Sequence, residues 1–246
     1  MSRIAIIAAL ERELHPLVDG WTQTQFNSGG RTWRCYQSGE WIAVAGGIGC
    51  GRAELAARAV LEEYRPQALI SAGLAGALIR RLKVGNIFIP NVIVDAATGT
   101  EYRCQVGGDV VGGGVLVSAE EIAGAGSKAS LAERFHALVV DMEAAGVARV
   151  AEESKTGFRC VKAISDEFDF AMPPVNRFVG AEGDFRTGKF AAWAALRPQY
   201  WPATVRLARN SSRATQALSD WLRKNLSGNF PQATVVTLNG AEHFKN

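Results

Sequence analysis

The sequence contains few of the residues that usually hold metal ions or covalent cross-links. It has three histidines, and the four cysteines at positions 35, 50, 104 and 160 form no CxxC pair and no local cluster. Structural zinc sites and disulfide frameworks need such residues at close and regular spacing. We therefore expect no metal site, and reduced, mostly buried thiols of the kind found in cytosolic proteins.

Long apolar runs are also missing. No uncharged apolar segment approaches the ~18 residues that a membrane-spanning helix needs. The first apolar run, residues 4 to 10, is followed by Glu11 and Glu13, which indicates a strand leading into a helix and not a secretory signal. These features predict a soluble, cytoplasmic protein.

The charge balance does not favour a nucleic-acid partner. The formal net charge of +3 is small, and the basic residues lack the interleaved aromatic side chains of a strand-binding sheet. Hydrophobic residues make up 48% and charged residues 21% of the 246 positions, which are ordinary values for a globular chain that can bury a core. We expect no nucleic acid to bind.

Strand-like and helix-like segments alternate along the chain. The segments typical of strands are "RIAIIAA", the hairpin "RTWRCYQSGEWIAVAGG", "ALISAG", "GNIFIPNVIV", "VLVS", "ALVVDM" and "FRCVKAIS". The segments typical of helices are "ERELHPLV" (interrupted near Pro16), "RAELAARAVLEEY", "SKASLAERF", residues 143 to 154 and a tail at 202 to 225. This alternation predicts one α/β domain, residues 1 to 246, with a mixed sheet.

Three acidic residues follow predicted strands. Glu13, Glu143 and Asp166 come after "RIAIIAA", "ALVVDM" and "CVKAIS". Ligand crevices in open α/β sheets lie beyond the carboxyl ends of strands, so these residues would converge if the strands are parallel neighbours. The glycine-bearing turns "AGGIGCG" and "SAGLAGA" would border the same edge. Each acid also has a plainer interpretation: an exposed helix face for Glu13, a helix-terminal acid for Glu143, and a cap for Asp166.

Three converging carboxyl groups suit the cleavage of a C–N glycosidic bond. A carboxyl beside a purine nitrogen can donate a proton to the leaving base, and a second carboxylate can deprotonate or orient water. We expect Glu143, at a helix N-terminus, to stay ionised and to accept hydrogen bonds from sugar hydroxyls.

Two glycine-containing segments resemble nucleotide loops but do not fit them. In "GGIGCGRAEL", Arg52 stands where a dinucleotide-binding loop needs its third glycine. In "GDFRTGKF", Phe190 stands where a P-loop needs Ser or Thr, and no strand precedes the segment. Neither segment predicts a cofactor site.

Five blocks together resemble the nucleoside phosphorylase/nucleosidase superfamily. They are "IAIIAALERELHPL", "GGIGCGRAELAARAVLEEYRPQALISAGLAGAL", "KVGNIFIP", "VVDMEAAGVARVA" and "VKAISDEFD". Up to about Asp169 the likeness is to methylthioadenosine/S-adenosylhomocysteine nucleosidases. The resemblance implies a three-layer α/β fold around a mixed, partly barrel-like sheet. It also implies a homo-oligomer that cleaves purine nucleosides without metal or organic cofactor.

The resemblance further implies roles for individual residues. Glu13 corresponds to the residue that activates water. Asp166, preceded by Ser165, corresponds to the acid that protonates the purine. Met142 and Glu143 correspond to the ribose-binding pair, with Glu143 on the hydroxyls.

The resemblance implies three further substrate-binding residues, Ile122, Gly73 and Leu74. At Leu74 the chain departs from the nucleosidases, and Gly73 is its neighbour. Ile122, in "LVSAEEIA", corresponds to a residue near the base. Gly73 and Leu74 lie in "SAGLAGAL", where Leu74 replaces a serine near the sugar. The Gly-rich segment from 99 to 114 is shorter than in the family, which changes a part of the pocket and of the subunit interface.

The "GLAG" form and the tail "LRPQYWPATVRLARNSSRATQAL" resemble the hopanoid-associated branch of the superfamily. Members of that branch are thought to release adenine from an adenosine with a large lipid at its 5′ carbon, so an adenosylhopane-like substrate is implied. Two alternatives stay open. One is a phosphate-dependent phosphorylase, in which Arg12 or Arg52 binds phosphate, although Glu13 disfavours it. The other is a non-catalytic nucleoside-binding module.

The part of the chain from about residue 186 is basic and aromatic. In the plainer interpretation this part is a terminal helix packed on the sheet. Its buried face would hold Leu207, Ala214, Leu218, Trp221 and Leu222. Its exposed face would hold Arg206, Arg209, Arg213 and Lys224. A sharper hypothesis places the aromatic segment from Phe190 to Trp201 at the mouth of the site, where it accepts a bulky apolar 5′ group. The basic face would then contact an anionic membrane.

Overall fold

The structure is a computed structural model that describes residues 3–105 and 113–226. Its strands are β1 (Ile4–Ala8), β2 (Thr22–Ser28), β3 (Arg31–Ser38), β4 (Trp41–Ala45), β5 (Ala68–Ala77), β6 (Ile87–Phe88), β7 (Val92–Asp95), β8 (Glu101–Arg103), β9 (Val115–Ser118), β10 (Ala137–Asp141) and β11 (Gly157–Asp166). Its helices are α1 (Glu11–Val18), α2 (Cys50–Tyr64), α3 (Ala125–Phe135), α4 (Ala144–Glu153), α5 (Thr187–Ala195) and α6 (Trp201–Leu226).

The strands form one mixed sheet with helices on both sides. Its order is β2-β3-β4-β1-β5-β10-β9-β7-β8, and β11 pairs with both β5 and β6. Side chains of β1 alternate between the two faces because successive residues of a strand point to opposite sides. Ala5 and Ile7 pack in a cluster with α2 and α4, whereas Ile4 and Ile6 pack in another with α1 and α6. The predicted three-layer α/β fold is confirmed.

The ends of three strands meet at Gly76 of β5. β1 and β11 pair with β5 in parallel, as expected, but β10 pairs with its far end antiparallel. Of the three strands that precede the acids, β1 and β11 are therefore parallel to β5, and β10 is not. The ends of β10 and β11 still lie close together, because Gly76 lies opposite both Val140 of β10 and Asp166 of β11. A Cβ on Gly76 would lie 2.8 Å from Asp166 Oδ2 and 3.3 Å from Val140 Cγ1, so glycine permits this close approach.

Several predicted boundaries were wrong. The segment "SAGLAGA" lies inside β5 and is not a turn, and "GNIFIPNVIV" divides into β6 and β7. Pro16 does not interrupt α1, because the helix ends only two residues later and so little of its hydrogen-bond ladder is lost. The Gly-rich segment contains β8, which pairs with β7, while residues 106–112 lie outside the described part.

The C-terminal helix α6 packs on the sheet through its apolar face. Ala214, Leu218 and Leu222 are buried there with residues of α1 and β11, while Leu207 and Trp221 are partly buried. The basic residues of the opposite face are exposed: Arg206, Arg209, Arg213 and Lys224. Among the described residues, no helix is both long and apolar enough to cross a lipid bilayer.

Candidate active site

A cavity of about 650 Å³ opens where β1, β5, β10 and β11 end, and α5 and α6 cover it. Seven of the eight predicted site residues line this cavity: Glu13, Leu74, Ile122, Met142, Glu143, Ser165 and Asp166. Gly73 is not part of the lining. A Cβ there would lie 3.1 Å from Glu13 Oε2 and 3.6 Å from Lys162 Nζ, so the glycine leaves room for both groups.

Glu13 presents an unpaired carboxylate oxygen to this space. It lies in the first turn of α1 and is buried, and its Oε2 atom has no hydrogen-bond partner among the described residues. Burial raises the pKa of Glu13, while the positive charges of Lys162 and Arg12 oppose the rise. A buried acceptor without a partner costs free energy unless a ligand or water satisfies it. Glu13 is therefore suited to bind a polar group in the cavity.

A buried lysine neutralises this group of acids. Lys162 of β11 is fully buried, and its Nζ lies 2.7 Å from Oδ2 of Asp141. The same Oδ2 accepts the Ala144 amide at 2.9 Å, and Oδ1 accepts the Ser118 hydroxyl at 2.6 Å. Burial alone would lower the pKa of Lys162, but the charges of Asp141 and Glu143 raise it above the ordinary value. Lys162 thus stays charged, and Asp141 accepts the backbone amide of Ala144 at the start of α4.

Glu143 is held by backbone donors on the cavity wall. Its Oε1 accepts from the Gly49 amide at 3.1 Å and its Oε2 from the Met142 amide at 3.3 Å. Burial, together with the charge of Asp141, raises the pKa of Glu143 to about 8, although Lys162 opposes the shift. Burial at the start of α4 thus opposes the ionised form that we expect for Glu143, while the two backbone amides favour it.

Asp166 is the last residue of β11, and both its carboxylate oxygens are occupied. Oδ1 accepts a hydrogen bond from Ser165 Oγ at 2.9 Å, and Oδ2 forms an ion pair with Lys128 of α3. Lys128 also donates to the carbonyl oxygen of Glu167 at 2.7 Å. Asp166 therefore faces the cavity as a paired carboxylate.

The part of the cavity that α5 and α6 cover has an apolar wall beside polar residues of α6 such as Thr204, Ser211 and Thr215. Its wall includes Phe185, Phe190 and Ala191, with Leu207 and Ala208 of α6. This part of the aromatic segment borders the cavity as hypothesised, through Phe190.

Trp201 does not follow that hypothesis. It lies outside the cavity lining, and it is 53% exposed beside Val205, which is 48% exposed. Both border a surface pocket together with the exposed Arg206, Arg209 and Arg213.

The sequence reasoning missed the two lysines that pair with the site's acids. Lys162 gave a usable signal, since it interrupts the apolar strand segment "FRCVKAIS" and a buried lysine needs a partner. Lys128 gave none, because "SKASLAERF" has the polar composition of an exposed helix. Of the two arginines considered for phosphate, Arg52 pairs with Glu182 at 2.7 Å, whereas Arg12 lines the cavity.

Known proteins resemble this chain in sequence. A family model described as "Phosphorylase superfamily" matches residues 3–112. A 5′-methylthioadenosine/S-adenosylhomocysteine nucleosidase of Bacillus cereus (strain G9842) is 27% identical over 197 residues, which cover 67% of this chain and 85% of the relative. An aminodeoxyfutalosine nucleosidase of Campylobacter jejuni is 25% identical over 214 residues, which cover 69% of this chain and 90% of the relative.

Solved structures resemble it in fold. The 5′-methylthioadenosine nucleosidase of Arabidopsis thaliana superposes with a TM-score of 0.71 at 18% identity, covering 92% of this chain and 95% of that one. The 5′-methylthioadenosine/S-adenosylhomocysteine nucleosidase of Helicobacter pylori with butyl-thio-DADMe-Immucillin-A gives 0.68 at 16% identity, covering 92% and 98%. The predicted resemblance to the nucleoside phosphorylase/nucleosidase superfamily is confirmed.

Proposed function

We propose that this relative of the phosphorylase superfamily hydrolyses the N-glycosidic bond of an adenosine-type nucleoside and releases adenine. The observation that carries the proposal is the meeting of Glu13, Glu143 and Asp166, from three separate elements, around one cavity. Two of these acids have raised pKa values caused first by burial. Such groups cluster at sites of acid–base chemistry. The nucleosidase names of the similar proteins agree with this reaction class.

Asp166 acts on the leaving base. The C1′–N9 bond breaks with its electron pair moving to the purine, and a proton delivered to N7 from the Asp166 side neutralises the developing charge. Ser165 fixes the orientation of the Asp166 carboxylate through the bond to Oδ1. Ile122 supplies an apolar contact for the flat base, and its loop is held by paired hydrogen bonds with Asn176 of 2.9 and 3.2 Å.

Glu13 acts on the attacking water. Its unpaired Oε2 accepts a proton from the water as the water oxygen bonds to C1′. The raised pKa makes the ionised carboxylate a stronger base than an exposed one, and the positive charge of nearby Lys162 favours the ionised form. Glu143 and Met142 hold the ribose hydroxyls, and Leu74 contacts the sugar through an apolar side chain.

A finer part of the proposal concerns the 5′ substituent. The apolar wall formed by Phe185, Phe190, Ala191, Leu207 and Ala208 offers space for a bulky apolar group next to the sugar position. Burial of apolar surface contributes roughly 25 cal/mol per Å². An adenosine with a large lipid at its 5′ carbon, similar to adenosylhopane, fits this wall better than a small polar nucleoside does.

A membrane contact would bring the protein to such a lipid. Leu196, Trp201 and Val205 are exposed apolar side chains, and Arg206 and Arg209 lie beside the last two. Exposed aromatic and basic side chains on one helix favour binding to anionic lipid headgroups. Sedimentation with anionic vesicles should therefore carry the wild-type protein, and Trp201→Glu should abolish that binding while adenine release from soluble nucleosides persists.

The proposal is tested by measuring adenine release from 5′-methylthioadenosine, S-adenosylhomocysteine, adenosine and a 5′-lipidated adenosine. We expect release in phosphate-free buffer, with a free ribose as the second product. A folded sample that releases adenine from none of the four would overturn the hydrolase proposal. Calorimetric binding of a nucleoside without turnover would then indicate a non-catalytic module.

The phosphorylase alternative rests on Arg12, whose guanidinium lines the cavity and lies over the Phe185 ring at 5.4 Å. Arginine is a frequent partner of phosphate. A rate that depends on phosphate, with ribose 1-phosphate as product and a large loss in Arg12→Gln, would favour phosphorolysis. Equal rates with and without phosphate favour water.

A further inference from the structure

The ion pair between Lys128 and Asp166 is the feature of the cavity that nucleoside hydrolysis alone does not explain. Lys128 is 0% exposed, on the side of α3 that faces the sheet, and its ammonium pairs with Asp166 Oδ2. It also donates to the carbonyl oxygens of Glu167 (2.7 Å) and Asp166 (3.5 Å). A fully buried lysine is rare, because burying the charge costs several kcal/mol unless good partners replace water.

The pairing leaves Asp166 without an acidic proton of its own. Oδ1 accepts the Ser165 hydroxyl and Oδ2 accepts the ammonium, so both oxygens act as acceptors. Yet a group that protonates a leaving purine must give up a proton. The nearest N–H protons in direct contact with this carboxylate are those of Lys128.

We propose that Lys128 is a positioning residue that acts through Asp166 and stores the proton that Asp166 delivers to the leaving base. The inference rests on the proposed hydrolysis. As the C1′–N9 bond breaks, an N–H bond of Lys128 breaks and an O–H bond forms on Asp166 Oδ2. The carboxyl group then gives this same proton to purine N7, so that Asp166 returns to the carboxylate form. Lys128 is left as a neutral amine, which solvent reprotonates after the products leave.

Crowding around the pair keeps this contact in place. A Cβ on Gly76 would lie 2.8 Å from Asp166 Oδ2, 3.3 Å from Lys128 Cε and 3.3 Å from Val140 Cγ1. The two charged groups therefore have little freedom to separate. Proton transfer between groups held at hydrogen-bond distance does not wait for a conformational change.

The other charged groups near the pair have partners or lie across the cavity. On β10 and β11, Asp141 pairs with Lys162. Across the cavity lie Glu143, held by two backbone amides, and Glu13 of α1. Glu121, in the loop after β9, is exposed at the cavity edge.

On the outer side, the Glu167 side chain pairs with Lys83 at 3.1 Å, and Asp169 pairs with Arg80 at 3.3 Å. Lys128 is thus the cation in direct contact with Asp166 among the described residues.

Two substitutions separate proton storage from simple charge neutralisation. Lys128→Arg keeps a positive charge beside Asp166 but does not release a proton in the working range. Lys128→Met removes both the charge and the stored proton, so the proton for the base has to come from solvent, where it is more abundant in acid.

We expect kcat of Lys128→Arg to fall about 10²-fold or more at both about pH 5 and about pH 8. We expect Lys128→Met to fall equally at about pH 8 but to recover to within roughly tenfold of the wild type at about pH 5. KM should change less than kcat in both variants.

The matched control is Lys83→Met, which removes an exposed lysine from the outer side of the same segment and should follow the wild-type pH profile. Thermal melting and circular dichroism check that each variant is folded. If Lys128→Arg does not fold, the acid recovery of Lys128→Met decides alone.

A Lys128→Arg enzyme about as fast as the wild type would overturn the inference, and so would a Lys128→Met enzyme that loses the same factor at both pH values. An inactive wild-type protein would instead overturn the hydrolysis proposal, so the two failures are distinguishable.

Discussion

Replacing Lys162 with methionine should destabilise the protein strongly and more so at alkaline pH. The side chains of Lys162 and Asp141 are 1% and 0% exposed, and their atoms are 2.7 Å apart. Removing one partner of a buried pair leaves the other charge without compensation, which costs about 3–5 kcal/mol. For a chain of this size the melting temperature should fall by roughly 6–20 °C.

The direction of the pH dependence follows from the neighbouring acids. Lys162 opposes the burial-driven rise in the pKa of both Glu13 and Glu143. Without Lys162, the carboxylates that lose its positive charge destabilise the folded state most when they are ionised. The difference in unfolding free energy between variant and wild type should therefore be larger at about pH 8 than at about pH 5.

Urea unfolding followed by circular dichroism at both pH values measures the difference. Lys83→Met is the control, because Lys83 is 60% exposed and its partner Glu167 is 27% exposed, so their ion pair should contribute at most about 1 kcal/mol. A loss in Lys162→Met no greater than that of the control, or one that does not grow with pH, would refute the reasoning.

Three further predictions concern the cavity wall. The pKa of Glu143 is raised from the ordinary 4.5 to about 8, so the folded state binds this proton more tightly and stability falls as pH rises between these values; Glu143→Gln should flatten that part of the stability profile, and an unchanged slope in urea unfolding would contradict it. Phe190→Ala should raise KM for long 5′-alkylthio adenosines about tenfold while changing KM for 5′-methylthioadenosine less, and equal changes would exclude the apolar subsite. In Gly76→Ala the new Cβ would lie 2.8 Å from Asp166 Oδ2, so kcat should fall about 10²-fold in a protein with an unchanged far-ultraviolet spectrum; wild-type kcat would show that the strand ends tolerate the methyl group.

The features that local pattern controls could be predicted from the sequence. The strands before Glu13 and Asp166 were recognised because short apolar runs precede a polar residue, and the long helix α6 because its apolar residues repeat with helical spacing. β2 was missed because it is an edge strand in which only Phe26 is buried, so its sequence "TQTQFNS" lacks a clear apolar pattern.

The features that long-range pairing controls could not be predicted. The antiparallel pairing of β10 with β5 depends on where the chain returns to the sheet, which no local pattern encodes. The contact of Lys128 with Asp166 joins residues 38 positions apart, and a lysine in a polar helix gives no sign of burial. The raised pKa of Glu143 depends on its burial in the pocket and on the charge of Asp141, both of which require the folded structure.

The measurement that tests the central claim most directly is single-turnover release of adenine from 5′-methylthioadenosine by the wild-type protein and by Asp166→Asn. We predict one adenine and one free 5-methylthioribose per nucleoside for the wild type in phosphate-free buffer. We predict a rate at least about 10²-fold lower for Asp166→Asn, with nucleoside binding still measurable by calorimetry. Adenine release by Asp166→Asn at the wild-type rate would contradict the account.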